Sequence, residues 1–245
     1  MFVFGSGVLI GTPSGGSPIN FGLVQEVSLN VATTTKALYG QYNFPVALGS
    51  GTKKMTGKAK MARISGQALG SLFFGISPSA GSTQTQFGEA TTVPSSSPYT
   101  YTTTYHSTFV ADQGVVYASS ALPLKQVASA PSAGQYAVSA AGVYTFASAD
   151  AGAAVLISYT YTLAGSGASI VVSSQLIGPS ISFSADLFAQ DPSTGKQFSV
   201  LLYNCVAEKL SFGTKVEDFL MPELDFQCFA NPAGQVCQFN FGDAA

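Results

Sequence analysis

Titratable side chains are scarce in this sequence. There is no tryptophan and one histidine, and charged residues make up 9% of the 245 positions, against roughly 25% in ordinary soluble domains. Enzymes move protons and hold metals with positioned ionisable groups, so no catalytic function and no cofactor are expected. His106, in YTTTYHSTF, has no second histidine to form a dyad or a metal site, and reads as a surface or half-buried side chain. Cys205, Cys228 and Cys237 are odd in number and lack CxxC spacing, which fits buried free thiols and synthesis in a reducing cytoplasm. No apolar run reaches the roughly 18 residues of a membrane helix, so no membrane association is expected. The opening MFVFGSGVLIG has neither the basic residues nor the long apolar stretch of a signal peptide. The GxG pieces have no strand–helix setting, and no phosphate loop or nucleophile elbow occurs. Glu217-Asp218 and Glu223/Asp225, around Met221-Pro222, do not follow EF-hand spacing and read as a solvated or lumen-facing acidic strip.

What remains is apolar, glycine-rich and strand-like, with positive mean hydropathy. Surface charge opposes non-specific association, so a monomer with this little of it needs another source of solubility. Either Ser and Thr supply it, or partner subunits cover much of the surface; the second reading makes the chain a subunit of an assembly. Residues 1–20 then suit an ordered arm lying on a neighbour.

Alternation is clearest early in the chain. Over 23–36, Val27, Leu29 and Val31 oppose Glu26, Ser28 and Asn30, which predicts a strand with one buried face. Over 53–62, Met55, Gly57, Ala59 and Met61 oppose Lys54, Thr56, Lys58 and Lys60. Between them lies ALYGQYNFPVALGSG, too long for a tight hairpin turn and too apolar for a solvated loop. Leu38, Tyr39, Tyr42, Phe44, Pro45, Val46 and Leu48 would form the tip of a projecting loop with somewhere to dock. ISGQALGSLFFG predicts one helix, with Ser65 as N-cap, Ile64, Ala68, Leu72 and Phe73 on one face, and Gly75 as the stop. Residues 76–99 read as a connection. Short strands follow in a β-rich insertion over 96–164, and the last third returns to strands through SIVVSSQLIG, SISFSADLFA and KQFSVLLYNCVAEKLSF, with turns at 192–195 and 231–234. The expected architecture is all-β: a sandwich or barrel formed by 21–95 and 165–245, with one packed helix.

Charge is sorted along the chain. No acid lies between Glu26 and Glu89, while Lys36, Lys53, Lys54, Lys58, Lys60 and Arg63 do. After Ser180 come Asp186, Asp191, Glu208, Glu217, Asp218, Glu223, Asp225 and Asp243, against Lys196, Lys209 and Lys215. These sets either neutralise each other across one sheet, or join the basic face of one subunit (Lys53, Lys54, Lys58, Lys60, Arg63) to the acidic face of the next.

The run TTTKALYGQYNFPVALGSGTKKMTGKAKMARISGQALGSLFFG resembles the N-terminal region of bacteriophage tail tube (major tail) proteins, and KLSFGTKVEDFLMPELDFQCFANPAGQV resembles their C-terminal strands. The likeness covers about two thirds of the chain and is firmest over 24–75. It implies a β-sandwich with a flanking helix, six copies closing into a ring, and rings stacking into a hollow virion tube that passes DNA, with weak, non-specific contact. Residues 37–52 would reach the adjacent ring, with the N-terminal arm as a second ring-to-ring contact. The extra segment at about 76–165 departs from the simplest members and would decorate the exterior. Tail terminator, baseplate or tip, and tape-measure proteins are the implied partners. A DNA conduit should not grip its cargo, so acids among Asp186, Glu208, Glu217 and Asp218 are expected at the lumen or an interface. The alternatives are another ring-forming tail component, such as a terminator or baseplate hub ring, and a β-sandwich adhesin using the tyrosines of 99–105 and 159–161. Against the adhesin stand the lack of tryptophan and of a visible secretion signal.

Overall fold

The computed structural model describes residues 5, 7–63, 65–174, 176–177 and 181–242. They form two compact units: residues 1–78 with 170–245, and residues 79–169 inserted between them. The inserted unit begins at Ser79, before the 96–164 expected from the Ser, Thr and Gly content of 76–99. Most of that stretch is strand instead. Its Thr–Gln alternation is polar on both faces and so carries no hydrophobic signal, although β-branched threonine favours a strand.

The chain enters the first unit through β1 (Val8–Pro13), β2 (Ile19–Asn20), β3 (Val24–Tyr39) and β4 (Pro45–Met61). A single helical segment follows, α1 (Gly66–Ala68), running on as a π turn over Leu69–Phe74. The inserted unit holds β5 (Ser79–Thr92), β6 (Thr100–Thr102), β7 (Phe109–Tyr117), β8 (Lys125–Gln126), β9 (Gln135–Val138), β10 (Val143–Phe146) and β11 (Ala154–Ser169). The chain then returns with β12 (Ser182–Gln190), β13 (Gln197–Ser211), β14 (Glu223–Cys228) and β15 (Cys237–Phe241).

The strands of the first unit join one antiparallel sheet in the order β2-β1-β12-β13-β14-β4-β3, with β15 also paired to β13. Met55, Ala59 and Met61 of β4 are buried on one face, as their alternation requires, with Phe183, Leu202 and Phe226 from the strands beyond. Leu72 and Ala68 of the helical segment join that core. Ser65 caps the helix through its side chain, which accepts from Ala68 N at 3.3 Å, and Gly75 ends it in the left-handed conformation at φ 64. Ile64, placed on the same helix face by its spacing, lies outside the described residues.

Three sequence expectations are corrected. The described part of residues 1–20, expected as an arm lying on a neighbour, packs within its own unit: β1 pairs with β12, and Leu9 and Ile19 are buried in the unit's own core. The supposed loop of 37–52 is mostly strand, because β3 and β4 run on as a hairpin to Tyr39 and Pro45 with only Gly40–Phe44 between them. Its distal faces are both unburied, so no inside–outside alternation marks it as strand. In SIVVSSQLIG, Ser169 closes β11, and the described residues from Ile170 to Ile177 are not in a strand, with Val171, Leu176 and Ile177 strongly exposed.

The inserted unit has its own core and two sheets, β5-β11-β7 and β6-β10-β9-β8. Its first and last residues, Ser79 and Ser169, are cross-strand partners in the β5–β11 ladder, so the insertion begins and ends at one place. That arrangement lets a whole domain interrupt another.

Candidate assembly surfaces

Two surfaces of the first unit stand out, and both are built from β3 and β4. The first is the distal hairpin. β4 pairs with β14 only over Met55–Lys60, while beyond the Val31–Met55 pair the strands of residues 32–54 pair only with each other. At about 3.4 Å per residue, the nine residues from Val31 to Tyr39 extend roughly 30 Å. Along this ribbon Leu38, Tyr39, Tyr42, Val46 and Leu48 are exposed, Phe44 at the turn is 81% exposed, and Pro45 is half-buried. Fully burying side chains of this kind stabilises by about 1.5–3 kcal/mol each. Nothing in the described chain covers them.

The second surface is the sheet face turned away from the core. Residues alternating with the buried set present Glu26, Lys54, Lys58, Lys60, Asp186, Glu208, Lys209, Glu223 and Asp225: five carboxylates and four lysines. Lys58 Nζ meets Glu223 Oε2 at 2.6 Å, Lys60 Nζ meets Glu223 Oε1 at 3.8 Å, and Lys54 Nζ meets Glu208 Oε1 at 3.6 Å. The hydrogen bond that Lys58 donates to Glu223 holds the ammonium above its ordinary value and the carboxyl below its own. Ser28, Asn30, Thr56, Lys58, Glu208 and Asp225 line an open groove of about 330 Å³ on this face. Asp186 and Asp225 each bury one carboxylate oxygen without a hydrogen-bond partner.

The residues singled out from sequence thus divide. Lys54, Lys58 and Lys60, read as part of a basic assembly face, pair with acids of their own chain, so this stretch of charge is neutralised within one sheet. Lys53 and Arg63 of the same set are exposed. Asp186 and Glu208 lie on the polar sheet face. Glu217 and Asp218 sit apart from it, in the exposed loop between β13 and β14 that also displays Phe212, Val216 and Phe219. Asp243 lies outside the described residues.

Sequence reasoning missed a set of carboxylate–tyrosine contacts in the inserted unit. Glu89, Asp112 and Asp150 are the only acids of residues 79–169, and each accepts from tyrosine hydroxyls. Glu89 takes Tyr101 at 2.7 Å and Tyr159 at 2.5 Å, together with the Thr104 amide and hydroxyl at 3.0 and 2.9 Å. Asp112 takes Tyr136 at 2.5 Å and Tyr144 at 2.7 Å. Asp150 takes Tyr117 at 2.8 Å and the Gly134 amide at 3.0 Å. Burial opposes the charged form of Glu89, but the hydrogen bonds from Tyr159, Tyr101 and Thr104 outweigh it and hold the carboxyl below its ordinary value. Burial, then the bond to Glu89, pushes Tyr159 up to about 12. The YTY alternation was the available signal, although it does not say which acid each ring meets.

Of the tyrosines of 99–105 and 159–161, these contacts engage Tyr101 and Tyr159, and Tyr99 is half-buried. Tyr136, Tyr144, Tyr159 and Tyr161 are buried, while Tyr105 is exposed and stacks on Tyr161 at 3.9 Å. His106 is exposed, its Nδ1 3.1 Å from Thr103 O. Among the described residues no three His, Cys, Asp or Glu side chains converge as metal ligands would, and no helix is long and apolar enough to cross a membrane. No protein-family model matches the chain, and no curated protein matches it in sequence.

Proposed function

We propose that this chain is a structural virion protein that self-assembles into stacked hexameric rings, forming the hollow tail tube through which phage DNA is delivered. The observation that carries this reading is the distal hairpin of residues 31–54. It is long, displays a cluster of large apolar side chains over 38–48 at its distal end, and has no strand of the rest of the chain beside it. A monomer gains nothing from such a ribbon, whereas a neighbour that receives it buries several large apolar side chains at once.

The polar sheet face suits the lumen. Its lysines are interleaved with carboxylates in excess, so a passing phosphate backbone meets no continuous basic track, and a conduit that binds weakly releases its cargo. Edge strand β3 is open along one side, and edges of this length are closed by pairing in stable assemblies. The inserted unit then belongs on the outside of the tube. Its three acids are held internally and Lys125 is its one lysine or arginine, so Ser and Thr provide its wetted surface.

The test is Phe44→Asp. Phe44 touches no core, so the variant should fold as the parent does by circular dichroism. Losing at least about 1.5 kcal/mol per subunit contact should raise the concentration needed for polymer by roughly tenfold or more in pelleting assays. Loss of folded protein instead would make Phe44 a core residue and remove the hairpin from the contact.

A further inference from the structure

Two of the three thiols face each other inside the first unit. Cys205 of β13 and Cys228 of β14 are cross-strand partners in register, with their Sγ atoms 3.4 Å apart. The backbone bond from Phe229 N to Asn204 O, 3.0 Å, flanks the pair. That pattern identifies a non-hydrogen-bonded antiparallel pair, in which the Cα atoms come to about 4.5 Å and the side chains converge. Such a separation falls within the range of roughly 4.4–6.8 Å that a disulfide spans, so the bond can close without the strands changing register.

We propose that Cys205 and Cys228 are a peroxide-responsive pair that oxidises to a cross-strand disulfide, with Cys228 as the attacking thiol and Cys205 as the resolving one. Exposure sets the roles: Cys205 is 0% exposed and Cys228 6%, so a water-sized oxidant meets Cys228 first. The hydrogen bond between the sulfurs favours the same assignment, holding the Cys228 thiol below its ordinary value and pushing Cys205 up. In the first step the Cys228 sulfur attacks one oxygen of hydrogen peroxide. The O–O bond breaks, Cys228 becomes a sulfenic acid and water leaves. In the second the Cys205 sulfur attacks Cys228, the S–O bond breaks, and the hydroxide departs as water with the Cys205 proton. Two thiols thereby give up two electrons to one peroxide, yielding a disulfide and two waters. The product ties β13 to β14 at the centre of the sheet, and its formation does not depend on the tube reading.

Cys237, on β15 opposite Leu202, is the more accessible thiol. Its burial and the neighbouring Cys228 hold it above its ordinary value while Cys228 is held below, so it has less thiolate to offer and serves as the internal control. The experiment treats the full chain with limiting hydrogen peroxide and maps peptides without reduction. The expected result is loss of two of the three thiols, a peptide linking Cys205 to Cys228, a higher melting temperature, and reversal of all three by dithiothreitol. Consumption of Cys237 with the pair left free overturns the proposal, as does passage of either partner to sulfinic acid without a linked peptide. In Cys205→Ala, Cys228 should stop at the sulfenic acid and take up dimedone; a folded variant that stays unlabelled overturns the assignment of the attacking thiol. Should that variant not fold, the wild-type peptide map still decides.

Discussion

Gly57 shows how much a single position depends on its neighbours across the sheet. It stands between Leu29 of β3 and Phe226 of β14 in the ladders, and a methyl group built there would collide with the Phe226 ring and the Leu29 side chain. The ring is 1% exposed and packs edge-on against Phe183 at 6.0 Å, so it has no free space to turn into. Gly57→Ala should destabilise the first unit by about 1–3 kcal/mol, the usual result of overpacking. A urea titration with an unchanged slope and a lowered midpoint is the expected readout; an unchanged midpoint would mean that the ring moves aside freely. The alternation of Met55, Gly57, Ala59 and Met61 places Gly57 on the core face by sequence alone. Why that place must be glycine is not legible, because the ring above it belongs to a strand about 170 residues away.

Elements were legible where burial differs between their faces. β4 over Met55–Met61 has alternating burial and was readable to the residue, as were the helix cap at Ser65 and the stop at Gly75. The distal hairpin and β5 have no buried face to mark them, so one reads as an apolar loop and the other as a connection. The elements of the inserted unit are also held by contacts that pattern cannot reveal, since Glu89 of β5 is bound by Tyr101 of β6 and Tyr159 of β11. That wiring sets the pH response of this unit. Tyr159 keeps its proton in the folded state up to about 12, whereas the unfolded side chain releases it near 10.0. Above pH 10 the unfolded state therefore binds fewer protons than the folded one, and stability falls as pH rises through that window. Tyr101, Tyr117, Tyr136 and Tyr144 are pushed in the same direction, by burial first and then by their carboxylate partners. Tyrosinate absorbance should rise together with loss of circular dichroism from the inserted unit. Ionisation of all these rings near pH 10 with the fold intact would contradict the wiring.

At the scale of the whole molecule, charge is paired within the first unit while large apolar side chains stand exposed on its distal hairpin. That is the distribution the proposed assembly would use. Charge sorted along the sequence is rejoined within the first unit, where β4 lysines meet acids of β13 and β14. This favours neutralisation across one sheet over an all-ionic contact between subunits, and exposed pairs of this kind contribute only about 0–1 kcal/mol each. In the proposed tube, apolar burial of the hairpin would be the dominant source of affinity, with charge fixing register. In the proposed assembly, which copy receives the hairpin is not written in one chain's sequence, because the receiving surface would exist only once subunits meet. The central claim is self-assembly into a tube, and negative-stain electron microscopy of the purified protein at rising concentration tests it most directly. Hollow rings and then tubes of constant width are the predicted result. Monomers alone across the whole concentration range, with the hairpin intact, would contradict it.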